Sequence, residues 1–397
     1  MKSNPGGQLA PEEILGRDEF IAELWEILAG RNVYMNDLRR IGKTMIINKM
    51  EAEPPPGWVV LKRDLGGLRT ASEFATRVFR DANSLLSIKK RSLRRMTDLI
   101  GSVEEIAGVL KLKNGSVAPW KEVLSRTFAD LDEDYKTSEE RIVFFWDEVP
   151  FLLDNIRTDE GPARAMEVLD TLRSLTQDYP SIRLLLTGSV GIHHVLTELR
   201  RDGYNNSPLN TFERVAPGPL DRGDAIYLAD QLLLGEKLKV PERGDASECI
   251  ASLTGDVPFY IHRLVSRMPK SKEVTPASLH DKLESELIAA DNDWDLAHYR
   301  NRLTKYYPNG NDETVVLSIL DSLSGEAGGL PVADLMNRVK STVPKTDDEQ
   351  IRSLLKLLLA DHYLVRNSRN RYTFRLEIVR RWWGGGSRTV ILTIRLS

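Results

Sequence analysis

Three short stretches of the chain carry the residue types that handle phosphate groups. The first is Asp37-Leu38-Arg39-Arg40-Ile41-Gly42-Lys43-Thr44, between an apolar segment and a helical one. In such a loop, backbone N–H groups and a helix N-terminus wrap phosphate oxygens. Lys43 adds a point charge at the β- and γ-phosphates, and Thr44 offers a hydroxyl to magnesium. The strict form of the pattern opens on glycine; here Asp37 stands there. The second stretch is Asp147-Glu148, directly after the apolar run 142–146. Asp147 would hold the magnesium shell, and Glu148 would orient and deprotonate an attacking water. The third is Gly188-Ser189, after the run 183–187, where Ser189 is placed to sense a γ-phosphate. Singly, these read as a solvated basic turn, an acidic turn and a polar turn. In this order, each beside the end of an apolar strand, they point to a Mg-ATP site.

The elements that must position these residues follow from hydrophobic period. Residues 12–29 show helical spacing, 32–35 read as a buried strand, and 44–50 as a helix that Pro54-Pro55-Pro56-Gly57 stops. Further strands are expected at 58–61, 142–146, 183–187 and 212–215, and a helix at 72–86. Uninterrupted apolar strands separated by helices predict an α/β fold with a parallel sheet covered on both faces. After Pro219 the strands stop, and helices are expected near 221–234, 245–253, 257–268 and 276–290. Residues 314–323, 331–340 and 347–360 then read as three helices before a hairpin, 363–365 and 372–374, which is the order of a winged helix. Residues 390–394 read as an edge strand or a disordered extension.

Composition narrows the class without naming the chemistry. The chain has 397 residues, enough for two or three domains. A single cysteine excludes an internal disulfide and a cysteine-rich zinc site. No apolar run reaches the roughly 18 residues of a membrane span, and the first ten residues lack an apolar signal core. A cytoplasmic protein is therefore expected. Lys and Arg total 55 against 58 Asp and Glu, a net charge of -3. That near-neutral total conceals a basic end. Between Ala360 and Ser397 stand Arg366, Arg369, Arg371, Arg375, Arg380, Arg381, Arg388 and Arg395, against only Asp361 and Glu377. A second basic cluster, Lys89-Lys90-Arg91 with Arg94-Arg95, reads as a solvated helix face or a polyanion contact.

The motifs, taken in order, resemble the STAND and archaeal-type branch of the P-loop ATPases, an AAA-like group. Ile14-Leu15-Gly16-Arg17-Asp18-Glu19 looks like the hydrophobic-hydrophobic-Gly-Arg-Glu motif that precedes the phosphate loop and packs near adenine, with Phe20 where the family usually has another acid. Leu38 to Thr44 is similar to the Arg-Arg-x-Gly-Lys-Thr form of that loop. Thr254-Gly255-Asp256-Val257-Pro258 resembles the Gly-x-Pro element of the helical lid, in which the proline backs the base. The resemblance implies a nucleotide site made of Leu15, Gly16, Arg17, Arg39, Arg40, Ile41, Gly42, Lys43, Thr44 and Pro258, with ATP and magnesium as cofactors. It further implies a P-loop ATPase domain over 1–220, a helical lid over 221–310, a winged helix over 311–383 and a tail over 384–397.

Such ATPases often take an arginine from a neighbour or the lid to stabilise γ-phosphate charge. Arg200, Arg201 and Arg214 are candidates, and Arg263, after Pro258, is the first choice as a sensor of closure. The expected function is a slow ATPase switch, in which closure of lid and winged helix regulates a partner protein or DNA, with a nucleotide-dependent oligomer and a prokaryotic defence or mobile-element setting in view. The alternative is a DNA- or protein-binding adaptor whose nucleotide site is degenerate and structural, which Asp37 favours. Arg366, Arg369 and Arg371 on the expected hairpin suit a phosphate backbone. Asp347, Asp348 and Glu349 at the start of the third helix oppose one, so a protein dock stays open.

Overall fold

The computed structural model describes residues 1–89, 103–106, 109–112, 118–136, 138, 140–188, 192–204, 208–289, 293–307 and 310–394. The chain forms two compact units. A sheet unit holds Arg17–Asp37 and Lys43–Pro217. A helical unit holds Met1–Gly16, Leu38–Gly42 and Gly218–Ser397. Two segments expected with the sheet, Met1–Gly16 and the loop Leu38–Gly42, thus pack with the helices.

In the sheet unit the order is α1 (Asp18–Gly30), β1 (Asn32–Asn36), α2 (Lys43–Ala52), β2 (Trp58–Asp64), α3 (Ala71–Lys89), β3 (Val103–Ile106), β4 (Val109–Leu112), α4 (Trp120–Tyr135), β5 (Arg141–Asp147), α5 (Val149–Glu160), α6 (Pro162–Asp178), β6 (Ile182–Gly188), α7 (Ile192–Arg201) and β7 (Phe212–Val215). Five strands form a parallel sheet in the order β2-β5-β6-β1-β7, and β3 and β4 form a separate antiparallel pair. The basic cluster near 89–95 lies outside the residues whose side chains are described.

Both faces of the sheet are covered, which explains its unbroken apolar strands. Successive side chains on a strand point to opposite faces. Ile142, Phe144 and Trp146 of β5, with Leu184 and Leu186 of β6, pack among residues of α3 to α7. Val143, Phe145 and Leu185 pack on the other face with Leu24, Trp25 and Leu28 of α1 and Ile46, Ile47 and Met50 of α2. Each large side chain so buried contributes about 1.5–3 kcal/mol. The functional consequence is rigid strand ends: Asp147 and Thr187 sit where fully packed strands stop.

The helical unit continues with α8 (Arg222–Gly235), α9 (Arg243–Thr254), α10 (Pro258–Ser266), α11 (Pro276–Ile288), α12 (Ala297–Tyr306), α13 (Gly310–Ser324), α14 (Val332–Thr342), α15 (Asp348–Ala360), β8 (Leu364–Arg366), β9 (Tyr372–Phe374) and α16 (Glu377–Ile394). Local signals mark the helix ends. Gly255, at φ 64°, ends α9 in the left-handed conformation, and Pro258 opens α10. Thr275 and Ser278 cap α11 reciprocally, and Asp347 accepts from Gln350 N at 2.7 Å to cap α15.

Strands β8 and β9 form an antiparallel hairpin, and Leu330 adds a rung on the other edge of β9 through two backbone hydrogen bonds with Tyr372. Gly329 permits that rung: its φ is +71°, and a Cβ there would lie 2.4 Å from the Tyr372 carbonyl oxygen. A single apolar core runs from Leu228 and Ile250 through Tyr299 and Val316 to Leu355, Phe374 and Trp383. Helix α16 runs through Gly384, Gly385 and Gly386 to Ile394, so 390–394 is neither an edge strand nor an extension. Its first half is anchored by buried Ile378, Val379 and Trp383, whose indole donates to Asp321 at 2.7 Å. No helix among the described residues is long and apolar enough to cross a membrane.

Candidate nucleotide site

The register of β5 and β6 sets the geometry of the site. Phe145 lies opposite Leu185, so two residues further on Asp147 comes beside Thr187, on the sheet face that carries α2. The Asp147 carboxylate is buried and accepts three hydrogen bonds. Thr44 Oγ1 donates to its Oδ2 at 3.0 Å, and Glu148 N donates to its Oδ1 at 3.0 Å. Thr187 Oγ1 donates to the same Oδ1. A hydroxyl and a carboxylate this close form an oxygen-only pair, the donor chemistry that magnesium takes. Thr44 and Asp147, both expected at the metal, are therefore brought together.

Thr187 is a candidate site residue that the sequence motifs missed. Its signal is parity: it is the one polar residue in the run Leu184-Leu185-Leu186-Thr187, and it points to the same face as Asp147. Ser189, expected at the γ-phosphate, lies outside the described residues. Glu148 is half-buried and takes a left-handed backbone, φ 58°, at the residue before α5. A Cβ on Gly66 would lie 3.2 Å from the Glu148 Cβ, so a small residue at 66 leaves room for this glutamate.

Lys43 opens α2 and is only 7% exposed. Its Nζ donates to the Asp37 carbonyl at 2.6 Å, which ties the end of the loop back to its start. Asp37 is itself 2% exposed. Within the loop, Arg40 has φ 70° and Gly42 has φ 106°. Alternating signs of φ along a loop turn successive N–H groups to one side, the backbone form of an anion nest. Nothing lies within 4 Å of a Cβ built on Gly42, so glycine is needed there for its φ alone.

The remaining predicted residues fall as follows. Arg17 belongs to the sheet unit, is buried, and donates to the Pro217 carbonyl at 3.0 Å. In the helical unit, Leu15 packs against the core and Ile41 is fully buried in it. Gly16, at φ +66°, lies against α8, where a Cβ would meet Asp224 at 2.7 Å. Pro258 is half-buried at the first turn of α10. The loop arginines are ion-paired inside that unit. Arg40 Nε donates to Asp295 Oδ2 at 2.7 Å, and Arg39 Nε lies 3.3 Å from the same oxygen. Arg40 also lies over the Phe259 ring, 4.5 Å from its centre, with Arg263 over that ring at 5.5 Å. Burial, then the positive charges of Arg267 and Arg40, hold the Arg263 guanidinium below its usual pKa.

Of the other arginine candidates, Arg201 pairs with Glu198 at 2.6 Å, while Arg200 and Arg214 are exposed. The C-terminal arginines divide. Arg380 bonds Glu377 and donates to the Ser324 carbonyl at 2.6 Å, Arg381 pairs with Glu284, and Arg375 meets His362. Arg366 and Arg369 on the hairpin are exposed, Arg366 lying over the Tyr372 ring at 5.0 Å, and Arg371 is half-buried.

The fold is shared with known proteins. The chain is similar to a Walker-type ATPase, PABY2304 of Pyrococcus abyssi, at a TM-score of 0.65 and 16% identity, over 96% of this chain and 99% of that one. It is also similar to the ORC2 protein of Aeropyrum pernix in its ADPNP–ADP complexes, at a TM-score of 0.55 and 13% identity, over 98% of this chain and 97% of that one. These likenesses show a P-loop ATPase fold. No protein-family model and no curated protein matches the sequence.

Proposed function

We propose that this chain binds and hydrolyses ATP with magnesium and works as a switch of the STAND or archaeal ATPase type. The observation that carries the reading is the three-residue constellation of Thr44, Asp147 and Thr187 at the ends of packed parallel strands. Thr44 and Asp147 would hold magnesium, which supplies charge neutralisation at the β- and γ-phosphates. The nest around Arg40 to Gly42, with Lys43, would hold those phosphates. Glu148 would accept the proton of the attacking water, and Ser189 would contact the γ-phosphate. Leu15, Gly16, Arg17 and Pro258 would border the base, and Arg263 would answer to closure. The division into sheet domain, lid and winged helix, the slow turnover, and an output through a partner protein, an oligomer or DNA belong to the same proposal, as does a role in prokaryotic defence.

The similarity to ATPases, one of them with ADPNP and ADP, supports this reading. The test is ATP binding and hydrolysis by purified protein with magnesium, on wild type and Glu148→Gln. Wild type turns ATP over, and the variant binds it but loses turnover. Absence of binding in wild type sinks the reading.

One observation favours the adaptor reading: buried Asp37 stands where the strict loop has glycine, beside the carbonyl that holds Lys43. A salt-dependent DNA shift that neither ATP nor Lys43→Ala alters would select it.

A further inference from the structure

We infer that Asp295 is a positioning residue for the phosphate loop, gripping Arg39 and Arg40 so that the loop keeps its anion-binding backbone. The inference rests on the ATP reading for its purpose, though not for its geometry. All of the groups involved belong to the helical unit.

The loop has a conformational difficulty that something must resolve. Arg40 sits at φ 70°, a region disfavoured for any residue with a Cβ, and such backbone persists only where surrounding contacts over-determine it. Two contacts do so. The Asp295 carboxylate takes Arg40 Nε at 2.7 Å and Arg39 Nε at 3.3 Å, and the Phe259 ring lies 4.5 Å beneath the Arg40 guanidinium. The Asp295 side chain is 19% exposed, so its pair with Arg40 is better shielded than a surface pair.

The grip is itself anchored. Asp295 takes a left-handed backbone, φ 55°. On one side Trp294 stacks on Tyr260 of α10, ring centres 6.2 Å apart, and donates to Glu286 of α11 at 3.0 Å. On the other side the Asp295 carbonyl meets His298 Nδ1. A short acidic segment is thereby fixed by two helices and aimed at two loop arginines. Charge alone would argue against this placement, because a carboxylate near a phosphate loop repels nucleotide. The geometric and electrostatic accounts therefore predict opposite signs.

The experiment is Asp295→Asn, read in two ways on the full chain. Amide hydrogen exchange of residues 38–42 is measured without nucleotide, and ATP affinity is measured with magnesium. Exchange in the loop is expected to rise about tenfold, with ATP binding weaker by about five- to tenfold. In an Arg39→Ala, Arg40→Ala background, Asp295→Asn is expected to change loop exchange less than twofold, since nothing remains to grip. Circular dichroism melts confirm that each variant folds. Unchanged loop exchange overturns the inference, as does tighter ATP binding by Asp295→Asn. If wild type fails to bind ATP, the function proposed above falls, while the exchange comparison still decides whether Asp295 holds the loop.

Discussion

The strand ends of the sheet unit and the arginine-rich end of the helical unit make an instructive pair. Both attract notice in the sequence for their charged residues. At the strand ends, polar groups converge: one carboxylate, Asp147, gathers Thr44, Thr187 and the Glu148 backbone. At the C-terminus the charges disperse. Arg380 and Arg381 are tied to Glu377, Ser324 and Glu284, and only Arg366 and Arg369 among the hairpin arginines are exposed. A charge count records composition, whereas strand register records where side chains must meet. Only the second predicts a site.

The sharpest test of this contrast is Lys43→Ala. Lys43 is buried at the head of α2. Loss of its charge is expected to weaken ATP binding by about a hundredfold or more, roughly 2.7 kcal/mol. Calorimetry on the folded variant measures it. An affinity within threefold of wild type would mean that convergence at the strand ends does not make a nucleotide site.

Acid tests the helical unit by a different route. His262 and His298, both of the helical unit, are held down to a pKa of about 4, chiefly by burial. Asn4 N donates to His262 Nδ1 at 3.1 Å, which requires the neutral ring. Unfolded histidines titrate near 6.5, so below that pH the unfolded chain binds protons that the native one refuses. Stability is therefore full above about 6.5 and falls as pH drops toward 4, by up to about 1.4 kcal/mol per pH unit for each histidine. Urea melts at pH 7 and pH 5 are expected to show that loss, and His262→Gln to reduce it. A stability independent of pH across this range would rule the histidines out as its source.

Thr187→Val asks whether register, rather than motif, defines the site. The change keeps the shape and deletes one donor to Asp147, leaving its bonds from Thr44 and Glu148 N. A lost hydrogen bond to a carboxylate costs about 1.5–3 kcal/mol. A lower melting temperature is expected, together with a loss of about tenfold in magnesium-dependent ATP turnover per folded molecule. A melting temperature that falls while turnover per folded molecule holds would assign Thr187 to the core instead.

Much of the fold was legible because hydrophobic period is a local property. The five sheet strands, the stop after Pro219, and the order of three helices and a hairpin all follow from it. Lys43, Thr44, Asp147 and Glu148 could be nominated as candidates from the sequence because motifs keep their chemistry contiguous in the chain. Thr187 was hidden because its role depends on which strand lies beside β5, a long-range fact. Asp295 was hidden more deeply, lying 255 residues from Arg40 in a segment with no motif. The expectation for residues 390–394, an edge strand or a disordered extension, failed in the other direction. Those residues lie in the helix anchored by Trp383, which runs on to Ile394.

The smallest effect is expected at the hairpin. Arg366 and Arg369 are exposed, and Arg366 lies over the Tyr372 ring at 5.0 Å. Replacing both with alanine is expected to change stability by less than about 0.5 kcal/mol. If the hairpin touches a nucleic-acid backbone, the same double variant lowers the slope of log affinity against log salt by about two, one unit for each lost phosphate contact. The control is Arg380→Ala, which removes a donor to the Ser324 carbonyl and is expected to cost about 1 kcal/mol of stability. A DNA affinity that responds to Arg380→Ala and not to the hairpin pair would reverse the assignment of free and engaged arginines. A salt slope unchanged in the double variant would leave protein docking as the use of this surface, and the comparison with the strand ends would then rest on buried contacts alone.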